Sequence, residues 1–149
     1  MNKEYHIIGL MSGTSLDGLD IVKCTFKKEK KWSFQLEDSE TIKYSKEWKN
    51  TLKSLHLKDE NKIKDIDKLY GRFIGGEVNR FIKKHNVHAN YISSHGHTIF
   101  HDPANNFTLQ IGDGKILSEL TEMTTISNFR ELDVDLNGQG APLVPIGDL

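Results

Sequence analysis

Gly9-Leu10-Met11-Ser12-Gly13-Thr14-Ser15-Leu16-Asp17-Gly18-Leu19-Asp20 is the stretch that organises this sequence. Before it, Tyr5 to Met11 is an apolar run ending in Ser and Gly, the pattern of a buried strand entering a tight turn. After it, Leu19, Ile21, Val22, Cys24 and Phe26 mark a second strand over Gly18 to Lys27. The segment between them is small and hydroxyl-rich. Gly13 and Gly18 permit a sharp turn and a close approach of backbone to ligand. Successive N–H groups in such a turn form a concave anion site. Ser12, Thr14 and Ser15 add hydroxyl donors, and Asp17 and Asp20 add carboxylates that suit a phosphate-bound Mg²⁺ held through water. The alternative is a hairpin turn that happens to be rich in small residues. The Gly-Lys-Ser/Thr ending of a Walker A loop is missing.

Working outward, Lys27 to Lys31 is a charged turn, and Trp32, Phe34 and Leu36, then Thr41, Ile42 and Tyr44, describe a third strand. Short turns between the three predict an antiparallel meander. Ser45 is placed to cap a helix with Trp48, Leu52 and Leu55 on one face, and a polar loop follows from His56 to about Glu60. Ile63, Ile66, Leu69, Tyr70, Phe73, Ile74, Val78, Phe81 and Ile82 recur at helical spacing, predicting one long amphipathic helix. Gly71, Gly75 and Gly76 interrupt it; they either permit close packing or simply weaken the helix.

A short buried strand over Asn90 to Ser94 is expected next. Thr98 to His101 and Phe107 to Ile111 flank the turn-forming Asp102-Pro103-Ala104-Asn105-Asn106, a hairpin. Asp113 to Met123 suits a short helix with Asp113 as a candidate N-cap, and Thr124 to Ser127 a last strand. From Asn128 the chain reads as irregular, and Gly138 to Pro145 as a shaped connector. His95 and His97 are expected on one face of an extended strand. With His101 they suggest zinc, hydrogen bonds to a polyhydroxylated substrate, or satisfied histidines at a strand end. Arg130 suits a bidentate grip on a carboxylate or a surface salt bridge.

The 149 residues fit one domain, with 20 Lys plus Arg, 21 Asp plus Glu and a net charge of -1. That balance exerts no long-range pull on nucleic acid or anionic lipid. Cys24 is the single cysteine, so no internal disulfide forms and a cytoplasmic location is expected. The N-terminus does not resemble a signal peptide, and no stretch approaches a membrane span.

Taken together, these segments resemble the anhydro-N-acetylmuramic acid kinases. The family's Gly-x-Met-Ser-Gly-Thr-Ser-x-Asp-Gly-x-Asp loop is matched by Gly9 to Asp20. Its Ser-His-Gly-Gln-Thr segment resembles Ser94 to Thr98, with His97 in place of Gln. Its Gln-Ile-Gly-Asp turn is Gln110 to Asp113, its Phe-Arg-x-x-Asp-Val segment is Phe129 to Val134, and its Gly-Gln-Gly-Ala-Pro-Leu-Val-Pro segment is Gly138 to Pro145.

The resemblance implies an α/β, ribonuclease-H-like domain of the actin-like ATPase superfamily, with a mixed five-stranded sheet flanked by helices. It implies an ATP-dependent, Mg²⁺-assisted kinase that opens the ring of 1,6-anhydro-N-acetylmuramic acid and yields N-acetylmuramic acid 6-phosphate in cell-wall recycling. By carry-over, Gly13, Thr14, Ser15, Leu16, Asp17, Gly18, Leu19 and Asp20 hold ATP phosphates, Asp17 reaching Mg²⁺ through water. His97, Thr98 and Arg130 meet the sugar, and the substrate's lactyl carboxylate gives Arg130 a purpose. Residues 1–149 then form an N-terminal kinase domain truncated before a second one. The family's catalytic Asp lies in a Gly-Phe-Asp-Thr-Gly-Pro-Gly type segment that is absent here, and Asp148 is too near the connector to replace it. The fragment alone is expected to be inactive, with a homodimer open for the full-length enzyme. A non-catalytic sugar- or nucleotide-binding module is the alternative.

Overall fold

The structure is a computed structural model that describes residues 3–140. Strands β1 (Lys3–Ser12), β2 (Gly18–Lys28) and β3 (Trp32–Lys43) form the expected antiparallel meander. Helix α1 (Lys46–Ser54) begins where Ser45 accepts a hydrogen bond from the Trp48 amide, and a single 3-10 turn, Leu55–Leu57, ends it. Helix α2 (Glu60–His85) is capped by Asp59 through the Lys62 amide and closed by Asn86 in the left-handed region. Then follow β4 (Tyr91–Asp102), β5 (Phe107–Ile111), α3 (Gly114–Thr121), β6 (Thr124–Ile126) and α4 (Phe129–Asp135).

The sheet is mixed. Its strands run in the order β3-β2-β1-β4-β5, with β6 also paired to β4. β4 lies parallel to β1, β5 antiparallel to β4, and β6 parallel to the first residues of β4. Six strands therefore stand where five were expected. The sixth is β5: the expected hairpin forms, but its first arm is continuous with the short strand anticipated over Asn90 to Ser94, so β4 runs without a break to Asp102 and carries β5 into the sheet. Without β5, the order β3-β2-β1-β4-β6 is a mixed five-stranded ribonuclease-H-like sheet of the actin-like superfamily. A second difference is α4, which replaces chain read as irregular. Two helical turns are too short to show a period above the background of Glu131, Asp133 and Asp135, yet Val134 is buried on them. Residues 141–145 of the expected connector lie outside the described residues.

One face of the sheet carries the core. Ile8, Leu10, Leu19, Ile21 and Ile92 pack against Ile66, Tyr70, Ile74, Val78 and Phe81 of α2, with Leu52, Leu55 and Leu117 closing the ends. Full burial of each such aliphatic or aromatic side chain contributes about 1.5–3 kcal/mol before ordering costs are subtracted. Two of the three α2 glycines are there for packing. A Cβ at Gly71 would sit 2.9 Å from the Asp113 carbonyl oxygen, and one at Gly75 2.9 Å from Leu120. Gly76 has nothing within 4 Å and only weakens the helix.

The opposite face is bare over the meander. Trp32, Phe34 and Leu36 are 55%, 67% and 63% exposed. With Tyr5, Ile7 and Phe26, Trp32 and Phe34 line an apolar groove of about 450 Å³. No helix among the described residues is long and apolar enough to cross a membrane.

Candidate functional site

The loop joining β1 to β2 is Gly13 to Asp17; Gly18, Leu19 and Asp20 already belong to β2. Its turn is closed by the Leu16 amide donating to the Gly13 carbonyl at 3.2 Å. Leu16, not a glycine, carries the positive φ of 60°. Gly18 is needed for another reason. A Cβ there would lie 2.4 Å from the Ile42 carbonyl oxygen, so the residue lets β2 start tight against β3. Thr14, Ser15 and Asp17 are exposed, and among the described residues their N–H groups meet no protein acceptor. That leaves adjacent amides and two hydroxyls at the end of a rigid strand pair, an arrangement suited to oxyanions. Asp20 is exposed as well, and its Oδ1 accepts the Thr41 hydroxyl at 2.5 Å. Leu19 is 1% exposed and belongs to the core, so its side chain takes no part in the site.

Ser12 does not join the loop donors. It is 2% exposed and its Oγ is bonded to Tyr44 Oη at 2.6 Å and His97 Nδ1 at 2.9 Å. Tyr44 Oη is in turn 2.5 Å from Tyr70 Oη. Burial pushes both phenols up from their ordinary values, and so keeps them protonated.

His95 and His97 face opposite ways, contrary to the same-face expectation. Leu10 pairs with Ser94 and Ser12 with His97, so three steps on β4 span two on β1. This is a β-bulge. Gly96, at φ 72°, makes it, and a Cβ there would fall 2.5 Å from the Ile111 carbonyl oxygen. The extra residue turns His97 to the α2 side with Ser12. His95, half-buried, meets α4 instead: Arg130 Nε donates to His95 Nε2 at 2.6 Å, while His95 Nδ1 donates to the Gly96 carbonyl at 3.0 Å. Burial, with the Arg130 charge adding to it, holds the His95 imidazole below the usual histidine range, so the ring is neutral near pH 7. Burial does the same to His97, opposed by a hydrogen bond from the ring to the Ser12 backbone. Among the described residues Arg130 makes no ion pair, so His95 takes the place of the expected surface salt bridge.

The third histidine, His101, is bonded through Nδ1 to Thr108 Oγ1 at 3.2 Å. The zinc reading therefore finds each ring engaged elsewhere, and among the described residues no three His, Cys, Asp or Glu side chains are grouped to hold a metal. Asp113 is the N-cap of α3, accepting from the Lys115 and Ile116 amides. Asp67 of α2 accepts from the Gly112 amide at 2.7 Å, and burial raises its carboxyl above the ordinary value. The Gln110 to Gly114 turn is thus a structural joint between α2 and α3.

Thr14 and Leu16 of the loop, His97, Thr98 and Ile99 of β4, and Leu52, Lys53 and His56 from the end of α1 and its 3-10 turn enclose one hollow of about 210 Å³. The size suits one ring or one anionic group rather than a whole drug-sized ligand. No carboxylate lines it, and Lys53 makes no ion pair among the described residues. The loop and two of the three sugar-site candidates are therefore brought together. Arg130 is not among the lining residues and lies against the other side of the bulge. Lys53 and His56 were missed by sequence reasoning, because a Lys and a His at the end of an amphipathic helix form no motif; only the docking of α1 beside β4 recruits them.

Residues 5–148 match the family model for anhydro-N-acetylmuramic acid kinase. The chain belongs to the anhydro-N-acetylmuramic acid kinase family. It is similar to the anhydro-N-acetylmuramic acid kinase of Acinetobacter baylyi, 38% identical over 144 residues that cover 93% of this chain and 37% of the relative. It is 37% identical over 157 residues to that of Pseudoalteromonas translucida, covering 95% and 39%. With that of Shewanella denitrificans it shares 39% over 153 residues, covering 97% and 40%. The chain thus spans about two fifths of the length of these curated relatives.

Proposed function

We propose that the chain forms the phosphate- and sugar-facing part of an ATP-dependent kinase acting on 1,6-anhydro-N-acetylmuramic acid in the cytoplasm, with N-acetylmuramic acid 6-phosphate as product. The observation that carries this reading is the shared hollow: Thr14 of the phosphate loop and His97 and Thr98 of the sugar segment line the same space. The free amides of Thr14, Ser15 and Asp17 and the hydroxyls of Thr14 and Ser15 take phosphoryl oxygens, as charge stabilisation is the main task in phosphoryl transfer. His97, Thr98 and Lys53 orient sugar oxygens toward them. Asp17 and Asp20 are the carboxylates nearest the loop in sequence. They suit a Mg²⁺ that arrives on ATP and keeps most of its waters, since such an ion needs only one or two protein carboxylates. That ion would neutralise phosphate charge. Arg130, fixed by His95, is proposed to reach the substrate's carboxylate from the far side of the bulge.

Activation of the attacking water is assigned to no residue of this chain. The 149-residue chain is therefore expected to bind without turnover. Calorimetry with ATP–Mg²⁺ and with the anhydro sugar, each against Thr14→Val, tests the reading. Binding of both, with ATP affinity lowered by about tenfold in the variant, supports it. Binding of neither ligand by the folded chain refutes it, and tight sugar binding without any ATP affinity favours a sugar-binding module instead.

A further inference from the structure

Arg130 and His95 fix each other's hydrogen-bonding roles. A guanidinium in a protein stays protonated and donates only. Arg130 Nε lies 2.6 Å from His95 Nε2, so that ring nitrogen is bare. The Gly96 carbonyl, 3.0 Å from His95 Nδ1, accepts only, so Nδ1 carries the proton. Both contacts select the same neutral tautomer. A protonated ring would set N–H against N–H, and burial together with the Arg130 charge opposes that form.

A guanidinium can hold a carboxylate bidentately on its side edge, through Nε and one Nη, or on its end edge, through both Nη. His95 takes the Nε–H and closes the side edge. The end edge stays open, because the bond to His95 is the only one that Arg130 makes among the described residues. The carboxylate that α4 itself could supply is engaged elsewhere. Asp133 stands three residues on, the spacing of a helical ion pair, yet its Oδ2 accepts the Gly140 amide at 2.7 Å. Phe129 packs beside the imidazole, with ring centroids 6.0 Å apart, and restrains it further. A half-buried fork of fixed orientation, with no protein carboxylate to satisfy it, suits an anionic ligand.

We propose that His95 is a positioning residue: as a neutral acceptor for Arg130 Nε–H it turns the Nη1–Nη2 edge of the guanidinium end-on toward a carboxylate of the ligand. That this carboxylate is the lactyl group of the anhydro sugar rests on the proposed function; the tautomer and the closed side edge do not. The role asks for an acceptor at the place of Nε2, which a glutamine carbonyl supplies and a leucine does not.

Long-range ¹H–¹⁵N NMR of the labelled, ligand-free chain near neutral pH reads the first half of the proposal. A bare Nε2 and a protonated Nδ1 are expected at His95, with an Arg130 Nε–H signal that shifts in His95→Leu. A protonated Nε2 in the parent chain overturns the proposal, as does an Arg130 Nε–H signal unmoved in the folded variant. Calorimetry reads the second half, comparing 1,6-anhydro-N-acetylmuramic acid with 1,6-anhydro-N-acetylglucosamine, which lacks the lactyl group. The parent is expected to prefer the carboxylate-bearing sugar by at least about tenfold. His95→Gln should keep that preference within about threefold, and His95→Leu should lose most of it. A merely structural tie between α4 and β4 would weaken both sugars alike and leave the preference unchanged, which overturns the proposal. If His95→Leu does not fold, Arg130→Lys, which keeps the charge and removes the fork, is expected to lose the preference, and an unchanged preference there overturns the proposal equally. A folded parent chain that binds neither sugar refutes the proposed function and the lactyl assignment with it, whereas the NMR arm still decides whether His95 holds Arg130.

Discussion

Gly96→Ala tests the bulge on which the site depends. Two costs add. The residue sits at φ 72°, where an L side chain is disfavoured by about 1–2 kcal/mol. Its new Cβ would lie 2.5 Å from the Ile111 carbonyl oxygen and 3.3 Å from the Gln110 Cβ. The first contact is with backbone inside the β4–β5 pairing, so no rotamer change relieves it, and overpacking of this kind costs about 1–3 kcal/mol. The sum is roughly 2–5 kcal/mol, a large share of the ~5–15 kcal/mol that holds a typical domain. At about 2–4 °C per kcal/mol for a chain of this size, Tm falls by something like 5–15 °C. Urea unfolding followed by far-UV circular dichroism supplies the free energy, and the His97 NMR signals supply the local consequence. Relaxing the bulge breaks the Ser12–His97 bond, so the variant that remains folded should show shifted His97 ring signals. A loss below about 0.5 kcal/mol with an unchanged His97 spectrum would refute the reasoning, since it would mean that Gly96 is a passive residue in a pliable strand.

Other substitutions probe separate parts of the argument. Gly76→Ala, exposed on α2 with open space around the new methyl group, should stabilise by about 0.5–1 kcal/mol in the same urea assay. The Ser94 hydroxyl is buried with no hydrogen-bond partner. Ser94→Ala should therefore be neutral or stabilising by up to about 1 kcal/mol, and a clear loss would reveal an acceptor that the hydroxyl does serve. Lys23 is 2% exposed and donates to Thr25 and to Glu37 at 3.1 Å, and the hydrogen bonds from Thr25 and Lys23 hold the Glu37 carboxyl below its usual range. A depressed carboxylate value means that this contribution is present above the unfolded value, near pH 4–5, and is lost as pH falls through the lower folded value. The urea midpoint of the parent chain should thus drop more between pH 7 and pH 3 than that of Glu37→Gln; parallel curves would argue against the pairing.

The meander, the Ser45-capped helix and the long α2 stripe were legible because each is specified by neighbours in sequence. Ser45 precedes its helix by one residue, and Ile63, Ile66, Tyr70, Ile74 and Val78 repeat at the helical period. The short α4 was not, because seven residues carry too few apolar positions to register a period. The loop was legible as a turn, but its mechanics were misattributed. Glycine residues were expected to supply the unusual backbone, whereas Leu16 adopts the positive φ and Gly18 clears Ile42 of a strand lying 24 residues away in the register Gly18 to Lys43 and Leu19 to Ile42.

What the sequence by itself determined is the order of elements, the family motifs and the position of a hydroxyl-rich loop at the end of β1. What only the tertiary structure decided is which side chains meet there. Strict alternation along a strand puts His95 and His97 on one face. The pairing of β1 with β4, residues 85 apart at Ser12 and His97, inserts an extra residue at Gly96 and separates them. His97 then joins the buried Ser12 hydroxyl and the loop's hollow, and His95 goes to Arg130. Period and propensity are local properties, whereas a bulge is set by the register between two distant strands, and that register follows from how their shared face packs on α2.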